Sequence, residues 1–351
     1  STVATLRGAA IHHGQGLLAF DPKYPFPITK GAKVAAKALW REVHGEDFQG
    51  GGEAPYDDED LTLIVSNAHF YIESLAPDII AALVECLNIG EAYPSRRRSR
   101  SEESKCYRAQ KRYLANHPWS HVDSQLPDWP PTTLQEVLGH ARMCSASSAV
   151  TISFSTGARR GEIHSIRDTC LDKDADGLDV LTLVHYKGRD ELYGKLVKLP
   201  IDRKVVAAVA VQLKIKEQIR RYMHDDPEAD EEAYYTDHLF VQMGRSTDDT
   251  SDEAYEKPYT LEGGRLTANG LTGQLRAYKD RLVPSVDGGI SFTRFRKSVA
   301  KLVTLSMEGS PLILQTIFGH ASYRTTLGYM FASPMINEEV VQSYPEFMAS
   351  N

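Results

Sequence analysis

Near its C-terminal end the chain carries a histidine, an arginine and two tyrosines within ten residues, in the order His320, Tyr323, Arg324 and Tyr329. A phenol hydroxyl is an uncommon nucleophile, and it needs nearby cations to stabilise the charge that develops when it attacks. An acyl-transfer enzyme needs a serine or cysteine beside a base, and the sequence contains no G-x-S-x-G motif. A catalytic role for one of these tyrosines therefore requires cations from other segments.

Three other segments offer such cations. Arg159 and Glu162 lie three residues apart at a predicted helix start, a spacing that lets the carboxylate orient the guanidinium. Lys187 lies in the predicted turn of a β-hairpin, and Arg296 lies on a predicted helix. Taken alone, each group also has a simpler explanation. Arg159 is compatible with a surface ion pair, and Lys187 with a solvated turn. His320 is compatible with a hydrogen-bonded histidine at a helix end, and Tyr329 with a tyrosine packed in the core.

The elements that position these residues can be predicted from residue pattern. Strand-forming residues at 180–186 and 195–199 flank Lys187 and predict an antiparallel hairpin. A helical pair is predicted at 132–154, capped by Thr132 or Thr133, and another helix at 289–305, capped by Thr293. Further helices are predicted at 31–44, 61–89 (with a second helix starting at Pro77), 201–222 and 266–281, and a surface insertion at 227–264. The predicted fold class is mainly α with a small antiparallel β-sheet.

The length of 351 residues allows two domains, and four prolines between residues 116 and 131 mark the predicted boundary. We therefore predict a helical N-terminal region at 1–131 and a second domain at 132–351. Hydrophobic residues at 42% and charged residues at 25% are typical of a soluble globular protein. The sequence shows neither a long apolar run nor a signal peptide, so no membrane partner is expected. Because the first residue is serine, we expect an N-terminal portion to be missing.

Metal binding is not expected from the sequence. The four cysteines are scattered without a C-x-x-C pair, which predicts free thiols in a reducing compartment. The neighbouring His12 and His13 have no third ligand nearby. The segment 172–177 resembles the first half of a calcium loop, but Leu183 stands where the loop requires glutamate, so a turn is predicted.

Taken together and in order, the segments resemble the tyrosine recombinase (phage integrase) family. Thr156-Gly157-Ala158-Arg159-Arg160-Gly161-Glu162 is similar to the T-G-x-R-x-x-E box, and Phe295-Arg296-Lys297-Ser298 to the H-x-x-R box. Gly319-His320, Thr325-Thr326 and Tyr329 match the G-H…T-T-x-x-Y box, whose spacing selects Tyr329 over Tyr323. The resemblance covers about 132–344, and its last two boxes are most similar to integrases of bacterial mobile elements and genomic islands.

The resemblance implies the catalytic-domain fold of that family, preceded by a helical region that helps to grip DNA. It implies a site-specific recombinase that cleaves and rejoins DNA through a covalent 3′-phosphotyrosine, without metal, ATP or another cofactor. The implied catalytic residues are Arg159, Lys187, Arg296, His320 and Tyr329, with Glu162 in support. Thr293 departs from the pattern, because the family has histidine, sometimes lysine, three residues before the second arginine.

The implied partner is double-stranded DNA with a specific core site, bound by a homotetramer whose subunits are monomers in free solution, in the bacterial cytoplasm. A net charge of −7 argues against whole-surface DNA binding and leaves local basic faces as candidates. The candidate DNA contacts are Arg294, Lys297, Arg96, Arg97, Arg98 and Arg100, although the run at 96–100 is also compatible with a solvated loop. Two alternatives are a type IB topoisomerase and a DNA-binding protein of the same fold with weakened catalysis. The segment after Tyr329 is expected to pack either on a neighbouring subunit or on its own domain.

Overall fold

The structure is a computed structural model, and it describes residues 53–93, 100–122, 126–185, 194–224, 237–241, 266, 268–306, 314 and 317–318. The chain divides into two compact units, Ser1–Glu53 and Ala54–Asn351. Apart from Glu53, the described residues belong to the second unit. The helix predicted at 31–44 and most of the insertion predicted at 227–264 lie outside the described residues.

The second unit begins with helices that follow the sequence prediction closely. Helix α1, Asp58–Phe70, is capped by Asp57, whose carboxylate accepts a hydrogen bond from the Asp60 amide at 2.7 Å. A short π-helical turn, Tyr71–Leu75, leads into α2, Ala76–Glu91, which has proline in its first turn as predicted. Helix α3, Arg100–Asn116, follows.

Helix α4, Leu134–Thr156, lies at the centre of the unit. The prediction of a helical pair here was wrong, because the segment forms one continuous helix. Its start was predicted correctly: the Thr133 hydroxyl accepts from the Glu136 amide at 3.2 Å, and the Glu136 carboxylate accepts from the Thr132 amide at 2.7 Å. Small alanine and serine side chains are buried on all sides of α4, which lets several helices pack against it.

A small antiparallel sheet follows the short helix α5, Arg160–His164. Its strands are β1 (Leu171–Lys173), β2 (Asp179–His185) and β3 (Lys195–Pro200), with β2 in the middle. Strand β1 was not predicted, whereas β2 and β3 were. Leu181 pairs with both Leu171 and Leu199, and His185 pairs with Lys195.

Three further helices complete the described part of the fold: α6 (Arg203–His224), α7 (Ala268–Leu282) and α8 (Phe292–Ser306). All three pack against α4. Thr293 does not cap α8 as predicted, because the cap is Ser291, whose hydroxyl accepts from the Arg294 amide at 3.2 Å. Thr293 instead lies exposed in the first turn.

Residues from both sides of the predicted boundary at 131 share one hydrophobic cluster, since α1 and α2 pack on α4. A separate DNA-contacting role for 1–131 stays a prediction. All four cysteines are buried free thiols. Within the described residues, no helix combines the length and apolarity that crossing a membrane requires. The observed class is mainly α with a three-stranded antiparallel sheet, which confirms the predicted class.

Candidate active site

The end of α4 positions the first arginine. Gly157 ends the helix in the left-handed region, at φ 59°, and its amide donates to the Ser153 carbonyl at 2.9 Å. A Cβ atom on Gly157 would lie 2.5 Å from a ring carbon of Phe318. Glycine is therefore required here twice, by the backbone conformation and by the close approach of Phe318. The chain then turns so that Arg159 stands immediately before α5.

The carboxylate of Glu162 is the centre of the site. Its side chain is buried, and its Oε2 accepts a hydrogen bond from the Arg159 amide at 2.7 Å. Its Oε1 accepts from the Arg159 guanidinium Nη1 at 2.8 Å. The contact that the three-residue spacing predicted is therefore present, and it fixes one edge of the guanidinium group.

His185 is a member of the site that the sequence reading missed. Its Nδ1 lies 2.8 Å from Oε1 of Glu162, so that this oxygen is shared by the histidine and Arg159. His185 ends β2 and is as buried as Leu181 and Leu183 on the same face of the strand. The signal in the sequence was the alternation of Leu181, Leu183 and His185, in which a histidine takes the place of a third apolar residue.

Arg296 reaches the same carboxylate from α8. Its Nη1 lies 3.8 Å from Oε2 of Glu162 and donates to the Gly157 carbonyl at 2.9 Å. Its Nη2 donates to the Phe318 carbonyl at 3.0 Å, and the guanidinium carbon lies 3.8 Å from the centroid of the Phe318 ring. The two arginines singled out in the sequence, 137 positions apart (296 less 159), thus meet at one acidic group.

Glu162 stays ionised in this setting. Burial by itself raises the pKa of a carboxyl group, but hydrogen bonds from His185 and the Arg159 amide outweigh it here. Together with the charges of His185 and Arg159 they lower the pKa of Glu162 to about 2. A permanently charged carboxylate holds the cations together without a proton equilibrium near neutral pH.

Exposure distinguishes the two arginines. The Arg159 side chain is 20% exposed, whereas those of Glu162 and Arg296 are each 2% exposed. Arginine carries more N–H donors than one carboxylate oxygen uses, so Arg159 can also bind an anion that approaches from solvent. Arg296 would have to exchange a backbone carbonyl partner to do the same. The arrangement suits the binding of a phosphate group at Arg159.

The residues around Arg296 have different surroundings. The Arg294 guanidinium donates to the carbonyls of Asp287 at 2.8 Å and Gly289 at 3.1 Å, and lies over the Tyr56 ring. Arg294 thus holds the loop before α8, and its DNA contact stays a prediction. Lys297 is half-buried.

Several predicted site residues lie outside the described residues: Lys187, His320, Tyr329, Arg96, Arg97 and Arg98. Arg100 is the first residue of α3. Their catalytic and DNA-binding roles stay predictions. Among the described residues there is no group of three or more His, Cys, Asp and Glu side chains that could hold a metal ion.

No family model and no curated protein matches the chain. Solved structures do resemble it. A structure of XerA recombinase has a TM-score of 0.37 and 15% identity, covering 82% of this chain and 98% of that one. XerH site-specific recombinase bound to difH substrate has a TM-score of 0.41 and 12% identity, covering 97% of this chain and 69% of that one. The Tn1549 transposon integrase with transposon right end DNA has a TM-score of 0.38 and 16% identity, covering 98% of each chain. At these values the likeness gives no activity to this chain, whose function has to be inferred from its own residues.

Proposed function

We propose that the chain is a tyrosine recombinase, a site-specific recombinase or integrase that cleaves and rejoins DNA through a covalent 3′-phosphotyrosine. The observation that carries the proposal is the convergence of Arg159 and Arg296 on the Glu162 carboxylate. These arginines belong to separate sequence boxes, which the resemblance to the family predicts to act on the same phosphate. The third box supplies Tyr329 as nucleophile.

In the proposed reaction, the phenol oxygen of Tyr329 attacks the scissile phosphorus while the bond to the 5′ oxygen breaks. Arg159 and Arg296, with His320, stabilise the charge on the non-bridging oxygens. Lys187 donates a proton to the leaving 5′ oxygen, and the phenol proton passes to water. The phosphotyrosine ester conserves the bond energy, so a free 5′ hydroxyl reverses the step without ATP or metal.

Thr293 makes the proposed site unusual. A threonine hydroxyl does not exchange a proton near neutral pH as a histidine does. Thr293 is exposed in the first turn of α8 and is not required as the cap, because Ser291 provides it. We therefore expect slow cleavage by the free protein, or cleavage only in the assembled complex.

The proposed partner is double-stranded DNA with a specific core site. Helix α3 presents four exposed basic side chains, Lys105, Arg108, Lys111 and Arg112. Such side chains gain affinity for DNA because each neutralised phosphate releases counterions. This basic face supports a DNA-gripping role within 1–131, for which the arginines at 96–98 and 100 stay predicted contacts. Assembly as a homotetramer on DNA belongs to the same proposal.

The test is covalent capture of DNA. Because the target site is unidentified, the probe is a library of fragments of the source genome, nicked so that a short strand diffuses away after cleavage. Wild type should give detergent-resistant adducts on a recurrent sequence. Tyr329→Phe should give none, whereas the control Tyr323→Phe should behave as wild type. Relaxation of a supercoiled plasmid without any site requirement would indicate topoisomerase activity instead.

A second candidate function is DNA binding of the same fold without cleavage. The burial of the Arg296 guanidinium against Phe318 favours it, since its Nη1 and Nη2 already donate to the Gly157 and Phe318 carbonyls instead of facing solvent. Salt-sensitive DNA binding by wild type, with no adduct on any fragment, would establish this candidate and reject the first.

A further inference from the structure

His185 is placed where the fold would ordinarily put an aliphatic side chain. It follows Leu181 and Leu183 on the buried face of β2, and its side chain is 2% exposed. Its Nε2 is buried without a hydrogen-bond partner among the described residues. Leaving a polar atom unpaired in the interior is unfavourable, so a site shaped for stability alone would hold an apolar side chain here.

The hydrogen bond from His185 to Glu162 explains why a histidine occupies this buried position. An ionised carboxylate only accepts hydrogen bonds, so the proton between the two groups lies on Nδ1 of His185. The same oxygen, Oε1, accepts from Nη1 of Arg159, and both distances are 2.8 Å. The rotation of the carboxylate is thereby fixed from the strand side as well as from the helix side.

We propose that His185 is a positioning residue for the phosphate-binding arginine, acting through Glu162. By holding Oε1 of Glu162 in place, His185 keeps the Arg159 guanidinium directed towards the scissile phosphate. Without the Nδ1 hydrogen bond, the carboxylate turns and the guanidinium follows it. Phosphoryl transfer is sensitive to such displacements, because charge stabilisation depends on donors already aimed at the transition state. The inference rests on the proposed recombinase function.

The experiment measures two quantities, the single-turnover rate of adduct formation and the equilibrium affinity for the same DNA. The DNA is the fragment captured by wild type from the nicked genomic library. His185→Leu keeps the volume and removes the donor. His185→Asn carries an N–H near the position of Nδ1, whereas His185→Gln carries it near the position of Nε2. Leu183→Val, on the same face of β2, is the control for a general loss of packing.

We expect His185→Leu to lower the cleavage rate by about 10-fold to 100-fold, the range of couplings between groups in one hydrogen-bond network. DNA affinity should change by less than about twofold, because the arginine keeps its charge. His185→Asn should recover most of the rate, and His185→Gln should not. In a Glu162→Gln background, His185→Leu should have little further effect, since the histidine acts through the carboxylate.

The outcomes separate the inference from the function on which it rests. If wild type forms no adduct with any fragment, the proposed function fails and the inference fails with it. If wild type forms the adduct and His185→Leu cleaves equally fast, only the inference is overturned. If His185→Leu does not fold, the Asn and Gln variants decide, and equal rates for these two reject the positioning role. A loss of rate in Leu183→Val as large as in His185→Leu also rejects it.

Discussion

Two buried histidines of this protein differ in the hydrogen bonds of their ring nitrogens. His140, in α4, has a partner on each nitrogen: Nδ1 accepts from the Tyr71 hydroxyl at 3.1 Å, and Nε2 donates to the Asp128 carbonyl at 2.9 Å. The Trp129 ring packs against it edge-on, with centroids 5.2 Å apart. His185 has one partner, the Glu162 carboxylate, and its other nitrogen is buried without one among the described residues.

This difference separates a group that holds the fold from a group that serves the site. The hydrogen bonds of His140 join α4 to the loop before it and to the π-helical turn, and the Tyr71 hydroxyl and Asp128 carbonyl are neutral. The guanidinium of Arg281 lies 3.4 Å from Nε2, at longer range. His185 lies in a cluster of charged groups whose outer member, Arg159, reaches solvent. We therefore expect substitutions in the Glu162 cluster to change activity more than stability, and substitutions at His140 to do the reverse.

The largest expected effect is at Arg159. Arg159→Ala should lower the rate of adduct formation by about 100-fold to 1000-fold, the loss typical of removing one preorganised donor to a developing negative charge. The midpoint of urea unfolding should change little, because the buried Glu162 carboxylate keeps its hydrogen bonds from His185 and from the backbone amide of residue 159. Arg159→Lys is the control: it keeps the charge without the planar fork and should remain well below wild type. A wild-type rate for Arg159→Lys would show that the fork has no role.

A smaller effect is expected at His140, where a substitution should lower stability and leave the cleavage rate unchanged. His140→Leu leaves the Tyr71 hydroxyl and the Asp128 carbonyl without their partner, which costs about 1–3 kcal/mol of unfolding free energy. Urea unfolding measures this loss, and the cleavage rate at a temperature well below the transition should equal that of wild type. A large loss of rate in a folded His140→Leu protein would remove the contrast between the two histidines.

The smallest expected effect is a change in the pH dependence of stability. Burial lowers the pKa of His140 below its ordinary value of 6.5, against the effect of the hydrogen bond to Asp128, and the charge of Arg281 lowers it further. The unfolded chain then binds more protons, so this contribution to stability is complete above pH 6.5 and is lost as pH falls below it. The pKa values of His69 and His117 are also lowered by burial and act in the same direction.

The difference between wild type and His140→Leu isolates this contribution. Unfolding free energies at about pH 7.5 and about pH 5.5 should differ less in the variant than in wild type. Glu162 does not titrate between these values, since its pKa is about 2. An unchanged or steeper pH dependence in the variant would show that His140 binds its proton equally well in the folded and unfolded chain.

The fold was predictable where a pattern is local. Strand β2 was recognised because its residues favour strands, and Thr132 or Thr133 was recognised as a cap because Glu136 follows in the first turn. Strand β1, Leu171–Lys173, was missed because three mostly polar residues carry no periodic signal. The cap of α8 was placed at Thr293 instead of Ser291, since both hydroxyl residues fit the pattern and only backbone geometry distinguishes them.

The sequence predicted which residues belong to the site better than it predicted the contacts between them. Arg159, Glu162 and Arg296 were identified by spacing and by resemblance to the family, and the pairing of Arg159 with Glu162 follows from their position on one turn. The contact between Glu162 and His185 joins residues 23 positions apart, and local spacing does not predict it. The burial of Arg296 against Phe318 depends on the packing of α8 beside the end of α4, which is also a tertiary property.

In the proposed reaction, Tyr329 becomes covalently joined to a 3′ phosphate of DNA. Adducts from the nicked fragment library can be digested with protease and nuclease, and the remaining nucleotide can be located on the peptide by mass spectrometry. We predict a nucleotide on Tyr329, in the peptide that follows Gly319-His320, and its absence from Tyr329→Phe. A nucleotide on Tyr323 or another residue, or DNA bound tightly with no covalent peptide, would contradict this account.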